Sequence, residues 1–469
     1  MKSLSFFKGL SWLIVLNLLV KPVWIFFIDR QVQNIVGHEL YGKYFALLNL
    51  SYVLYFLSDA GLSSMLNQRM ASSKRINTKL FIGIKLFLIL LFAITTIFAG
   101  WLSDISRWTF LFYIIAIQSL TSIFIFLRSF ITAHQDFRAD AWFSVADKFL
   151  MTIFCGAIIY TAAFGKIDII LFLQLQTLCT FLAVVATVIY ISYKKMLRLS
   201  GKEDPEQLLA SMLPFALIIL LMTAQLRLDA FLLERIHING AYEAGIYATA
   251  FRLLDAGNMV GFLSASFLVP FVAKNFRDTA LVSTVMNKTR DALLFMAIGV
   301  SGFALFFSPW IQQLLYHTSD PYNSLVIAIC LASLPALYMV HVYSSALTAT
   351  ARFEVLMPIL IFSFLINLVL NIILIPDYGA QGCCIAAVAG QYFCGIACYI
   401  ATTKKLSINP GFSSFGLFLL LAMLLSAWFY FGKMAIHNVW VILAIAILIV
   451  LIILTLQLGS FKKYFSSLH

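Results

Sequence analysis

The chain has 469 residues, of which 62% are hydrophobic and only 11% charged, and it carries a formal net charge of +12. Soluble domains are usually about 25% charged. This sequence cannot clothe itself in a polar surface, which excludes a water-soluble globular protein and makes lipid its solvent. The seven cysteines lie within or at the start of apolar runs and form no C-x-x-C spacing, so they read as small packing residues rather than disulfides or metal ligands.

In chain order, apolar runs long enough to cross a bilayer fall at about 10–28, 40–60, 80–100, 108–132, 142–164, 167–193, 209–235, 243–272, 290–316, 323–350, 356–375, 382–404, 413–432 and 438–458. The first follows a basic start, MKSLSFFK. No small-residue cleavage site comes after it and the apolar character continues to Phe27, so it is read as an uncleaved span. It carries Lys21 about 16 Å in, close to mid-bilayer, with Pro22 directly behind it. A charge at that depth costs a few kcal/mol and such residues usually line a cavity. Proline removes a backbone hydrogen bond, so Pro22 is a candidate hinge.

Span two opens with ELYGKYFALLNL (39–50) and span eight with YEAGIYATAFRL (242–253). Gly42, Tyr44 and Leu50 align with Gly245, Tyr247 and Leu253 at one fixed offset, each G-x-Y lying at an outer loop-to-helix junction. The two spans hold equivalent places in successive blocks of six. This predicts two parallel six-helix repeats, with lobes at 1–200 and 201–405 and two added C-terminal helices at 406–469. The connector KKMLRLSGKEDPEQ (194–207) separates the blocks.

With the N-terminus inside, the inner segments hold 21 Lys and Arg residues and the outer ones only Arg30, Arg107, Lys166, Arg235 and Lys433. That asymmetry places both termini in the cytoplasm and accounts for most of the net charge without a nucleic-acid partner. The outer loops are about a dozen residues or fewer, too short for the polar catalytic groups of a membrane enzyme. No phosphate-binding glycine loop, zinc ligand set or nucleophile elbow occurs, and the chain is read as a transporter, not an enzyme.

Three segments then become specific: GHELYGKYFALLNLSYVLYFLSDAGLSSML (37–66), RLDAFLLERIHINGAYEAGIYATAFRLLDA (227–256) and NIILIPDYGAQGCCIAAVAGQY (371–392). An acidic residue with G-x-Y, the D-x-G-L run Asp59–Leu62 before a basic loop, and N-x-x-L-I-P-x-x-G-x-x-G before span twelve resemble the Wzx-type polysaccharide flippases. These belong to the superfamily of the lipid II flippase MurJ and the MATE drug exporters. The resemblance covers roughly residues 1–405. It implies an all-α integral membrane protein of about 14 transmembrane helices in a bacterial inner membrane, supplying O-antigen or exopolysaccharide synthesis. It also implies an undecaprenyl-diphosphate-linked oligosaccharide cargo moved from the cytoplasmic to the periplasmic leaflet, with polysaccharide polymerase machinery as a possible partner.

The same resemblance brings spans one, seven and eight beside a central cavity. Lys21, Arg227 and Arg252 would meet there with Asp229 and Asp255 to take the diphosphate. Arg30, Lys43 and Asp59, with Pro22, are assigned to hinge or gate. Lys85, Arg128, Asp147 and Lys148 are placed toward cytoplasmic ends as anchors or gate pairs. No cofactor is expected; coupling to protons or sodium stays open, with Asp59, Asp229 and Asp255 as candidate sites. The structural alternatives are a buried Arg252–Asp255 pair and a Lys21 that pairs with Asp29 or snorkels. The intramembrane amides Gln118, Gln174, Gln225, Asn258, Asn367 and Gln391 either bond sugar hydroxyls or join helices, and His341 is either a proton site or a bonded packing residue. A multidrug or cation antiporter would want an acidic cavity, a lipid II flippase would share the fold, and a polymerase would need a large outer loop.

Overall fold

The structure is a computed structural model that describes residues 2–71, 77–105, 107–161, 167–196, 205–317, 320–408, 411 and 413–466. Lys74, Arg75, Lys166, Arg198 and Lys202, which entered the loop-charge reading, lie outside the described residues. Among the described residues every regular element is helical.

The first span is not one helix. α1 (Lys2–Val23) runs into a six-residue π-helix, Trp24–Asp29, and then α2 (Arg30–Val36). Pro22 has no N–H for the carbonyl one turn behind it, so the ladder is already loosened where the wider π turn begins. Gly37, at φ 82°, separates α2 from α3 (His38–Leu54). α4 (Phe56–Asp59) ends at Ala60 and Gly61, both left-handed, and α5 (Leu62–Ala71) follows. The D-x-G-L run is therefore a tight corner.

α6 (Thr78–Leu102) starts from an N-cap in which Asn77 accepts the Leu80 N–H. α7 (Trp108–Ala133), α8 (Phe137–Thr161) and α9 (Ile169–Tyr193) supply the next three spans, with Asp168 capping α9. α10 (Pro205–Ile236) and α11 (Gly240–Asn275) are spans seven and eight. α12 (Thr279–Tyr316) bends at Phe307, two residues before Pro309. Span ten is divided into α13 (Pro321–Leu331) and α14 (Leu334–Ala349). α15 (Phe353–Lys405) holds spans eleven and twelve as an antiparallel hairpin. The chain reverses near Gly379 (φ 52°, ψ −127°), and Ser363 Oγ of one arm donates to the Gly390 carbonyl of the other at 2.7 Å. α16 (Ser413–Ala435) and α17 (Val439–Ser466) complete the chain.

Among the described residues, ten helices are long and apolar enough to span a membrane by length and composition, and α15 is one of them. Its two arms, the two interrupted N-terminal spans and the shorter apolar stretch of α17 bring the total to the fourteen read from the sequence.

The chain forms two compact units, 1–245 and 246–469, and the division falls inside α11. In the first, α1 lies along α8, α3 packs on α10 and α7, and α9 packs on α7 and α8. In the second, α14 lies on α15, and α12 is the hub that touches α13, α14, α16 and α17. Aromatic packing of Phe303 and Phe307 of α12 against Phe429 of α16 fixes the added C-terminal pair to that hub. Large apolar side chains such as Trp101, Leu102 and Leu419 face outward, while Lys85, Asp229, Arg252 and Arg290 are buried. This inverts the soluble pattern and is what a lipid solvent selects.

Candidate functional site

Asn17, Lys21, Trp24 and Ile28 recur at spacings of four, three and four, which is one helical stripe. The stripe faces α8. Asn17 Nδ2 donates to Ser144 Oγ at 2.8 Å, Lys148 Nζ sits 4.5 Å from the centre of the Trp24 ring, and Ile28 lies against Gly156. Lys21 is held between the first two contacts and so looks toward the 147–148 step of α8. The charged groups acting on it are Asp147, Arg128 and Lys148.

Those neighbours are unequally committed. Arg128 Nε donates to Asp140 Oδ1 at 2.8 Å, and Lys148 Nζ lies 3.3 Å from Asp147 Oδ2. Among the described residues, no acceptor lies within bonding distance of Lys21 Nζ, which is half-buried. Among the described residues the buried Trp24 Nε1–H has no acceptor. Asp29 does not pair with Lys21, because both of its oxygens accept from Tyr41 Oη, at 2.9 and 3.0 Å. In this part of the first unit, Lys21 and the Trp24 N–H are the donors without a bonded acceptor among the described residues.

Arg227 lies over the Tyr52 ring at 4.9 Å, and Asp229, two residues on, is 1% exposed. Both belong to the first unit. Arg252 and Asp255 belong to the second. Arg252 is buried and donates to Tyr316 Oη at 3.3 Å, and that hydroxyl donates to the Thr249 carbonyl at 3.2 Å. Asp255 is half-buried on the next turn of α11. Tyr316 was not legible as a partner, since it lies 64 residues from Arg252 with no motif linking them.

The residues expected at a hinge or gate are placed as follows. Pro22 precedes the π-helix. The exposed Tyr160 Oη of α8 donates to the Phe27 carbonyl inside that segment, at 2.9 Å. Arg30 opens α2 and donates to Gln31 Oε1 at 3.3 Å. Lys43 pairs with Glu39 at 2.7 Å at the start of α3, which holds the Glu39 carboxyl below its usual range. Asp59 accepts from Lys85 Nζ at 2.6 Å and from the Ser63 hydroxyl.

Lys148 needs a correction. The sequence puts the start of span five near 142 and so places Lys148 toward the cytoplasm. The helix begins at Phe137 because FRAD, polar as it is, is already helical. Lys148 is therefore about 16 Å along α8, level with Trp24. Two amides join helices, Gln118 donating to Ser51 and Gln174 to Tyr113, while Asn371 donates to Asn367 within its own helix. His341 Nε2 is bonded to Asn258 Oδ1 at 2.7 Å.

The fold has known counterparts. A family model described as "Polysaccharide biosynthesis protein" matches residues 6–276. The lipid II flippase MurJ in an inward closed conformation is similar at a TM-score of 0.70 and 14% identity, over 97% of this chain and 99% of that one. A multidrug resistance MATE transporter in an inward-facing conformation gives 0.60 and 16%, over 84% and 94%. A transporter of the same superfamily from Pyrococcus furiosus, described as having a binding pocket of reverse polarity, gives 0.62 and 15%, over 86% and 94%. No curated protein matches the chain significantly.

Proposed function

The chain belongs to the polysaccharide biosynthesis protein family, and on that premise we propose that it is a flippase. It moves an undecaprenyl-diphosphate-linked oligosaccharide from the cytoplasmic to the periplasmic leaflet of a bacterial inner membrane. The single observation that carries this reading is Lys21. A mid-membrane ammonium with no carboxylate in bonding contact among the described residues, beside Lys148 and Trp24, is costly unless an anion visits it.

The lobes at 1–200 and 201–405 rock around the cargo while 406–469 travels with the second of them. Lys21 takes the diphosphate as a mobile point charge, and Arg252, Asp255, Arg227 and Asp229 supply the remaining polar contacts. The lipid tail stays in the bilayer. With about two negative charges on the cargo, outward movement is favoured by roughly 4–5 kcal/mol per 100 mV, inside negative. Both termini are cytoplasmic, and a polysaccharide polymerase would receive the product.

A drug or cation exporter is the competing reading. The Pyrococcus furiosus relative is described as having a reverse-polarity pocket that suggests a different function. A cationic interior here fits the same logic and disfavours cationic cargo. The test is deletion of the gene followed by complementation. Loss should leave the lipid-linked oligosaccharide on the cytoplasmic side, Lys21→Ala should fail to restore export, and Lys21→Arg should restore most of it. Full export by Lys21→Ala, or drug sensitivity without lipid accumulation, overturns the proposal.

A further inference from the structure

From sequence, Trp24 has no role and Lys148 only that of an anchor or gate residue, yet both stand next to Lys21. Lys148 has three N–H groups. One carboxylate oxygen, Asp147 Oδ2, lies 3.3 Å away, and the Trp24 face holds the ammonium in place without consuming the remaining donors. Asp29, the other carboxylate whose field reaches Lys148, is occupied by Tyr41. The Trp24 indole N–H is buried and unbonded among the described residues. A buried donor left unmade costs about 1–3 kcal/mol. That N–H, beside Lys21 with no bonded acceptor among the described residues and Lys148 with one carboxylate oxygen, points to a ligand that brings several acceptors.

We infer that Lys148, seated on Trp24, is a specificity-determining residue that binds the second phosphoryl group, so that the site distinguishes a polyprenyl diphosphate from a monophosphate. This rests on the carrier reading and deepens it. Lys21, near the end of α1, takes one phosphoryl group. Lys148 lies across from it on α8, between Asp147 and the indole, and takes the other, with the Trp24 N–H as an added donor. A diphosphate can offer each ammonium its own phosphoryl group, whereas a monophosphate must serve both from one. The discrimination matters because a monophosphate carrier lipid is chemically the same anchor without a cargo.

The experiment measures binding of undecaprenyl diphosphate and undecaprenyl monophosphate to the full-length protein in nanodiscs. The wild type should prefer the diphosphate by about tenfold or more, the size of one charge-assisted bond. Lys148→Gln should lose about tenfold in diphosphate binding while its monophosphate binding stays within about threefold of wild type. Lys148→Arg should keep the preference. Trp24→Leu, which removes both the seat and the N–H, should lose it. Should Lys148→Gln retain the diphosphate preference, or lose both lipids equally as a misfolded protein would, Lys148 is not the reader and the carrier reading survives. Binding of neither lipid by the wild type overturns the carrier reading itself.

Discussion

Lys85 Nζ stands 2.6 Å from Asp59 Oδ1, with the lysine side chain 3% exposed and the aspartate 20%. The pair ties the D-A-G-L corner to α6 on its buried side, and the Ser63 hydroxyl adds a second donor to the same carboxylate. An ion pair closed to water is costly to break from one side, because the surviving charge keeps its desolvation penalty.

Lys85→Met should therefore lower unfolding stability by about 2–3 kcal/mol in a detergent melt. Pairing it with Asp59→Asn should recover part of that loss. Equal melting of Lys85→Met and wild type would show that the pair contributes nothing.

Gly42 and Gly245 form a close backbone approach. A Cβ on Gly42 would press on the Ala241 carbonyl and come within 2.7 Å of Gly245 N, and one on Gly245 would meet the His38 backbone. Gly42→Ala and Gly245→Ala should both reduce folded yield, since backbone cannot swing aside. Gly83→Ala and Gly416→Ala, on helix faces with no atom within 4 Å, should be neutral or stabilising by about 0.5–1 kcal/mol. Thermal melts of the four variants check the contrast.

Pro22→Ala restores an N–H one step before the π turn, and Tyr160→Phe removes the hydroxyl that caps the Phe27 carbonyl within it. If Pro22 is the hinge, Pro22→Ala should slow export at unchanged protein level. Tyr160→Phe should cost about 1 kcal/mol of stability, the net worth of one hydrogen bond. Wild-type export by Pro22→Ala would remove the hinge role.

Arg290, 1% exposed, is bound by Asp291 Oδ1 at 2.7 Å, Tyr343 Oη at 3.3 Å and the Gly411 carbonyl at 3.3 Å. It links α12 to α14 and to the segment that leads into α16. Arg290→Met removes the buried guanidinium from Asp291, Tyr343 and Gly411 and should destabilise the protein by about 3 kcal/mol or more. Protease sensitivity near residue 411 should rise with it. A melt within 1 kcal/mol of wild type, roughly one ordinary hydrogen bond, would refute the linkage.

Spans were legible because lipid imposes length and apolarity, and every run read from the sequence has a helical counterpart. Breaks were legible where a residue announces them, as Pro22 does before the π-helix and the P-D-Y-G turn does at Gly379. Depth was less legible. FRAD looked like a loop because its charges hide the helix that carries them, and Lys148 was placed too shallow as a result. Partnerships were least legible. Nothing near Arg252 announces Tyr316, and nothing near Trp24 announces Lys148, because such contacts are set by helix packing and not by local pattern.

The meeting of 38–42 with 241–245 is a close approach of peptide groups, flanked by the His38 ring edge-on to Tyr242 at 5.7 Å and by the Gln33 amide on the Gly245 carbonyl at 2.8 Å. Joints of that kind tolerate no added methyl. The two glycines of the repeated G-x-Y are therefore constrained by geometry alone. A chain drifting elsewhere in composition could exchange every chemistry-bearing neighbour and still have to keep these two bare.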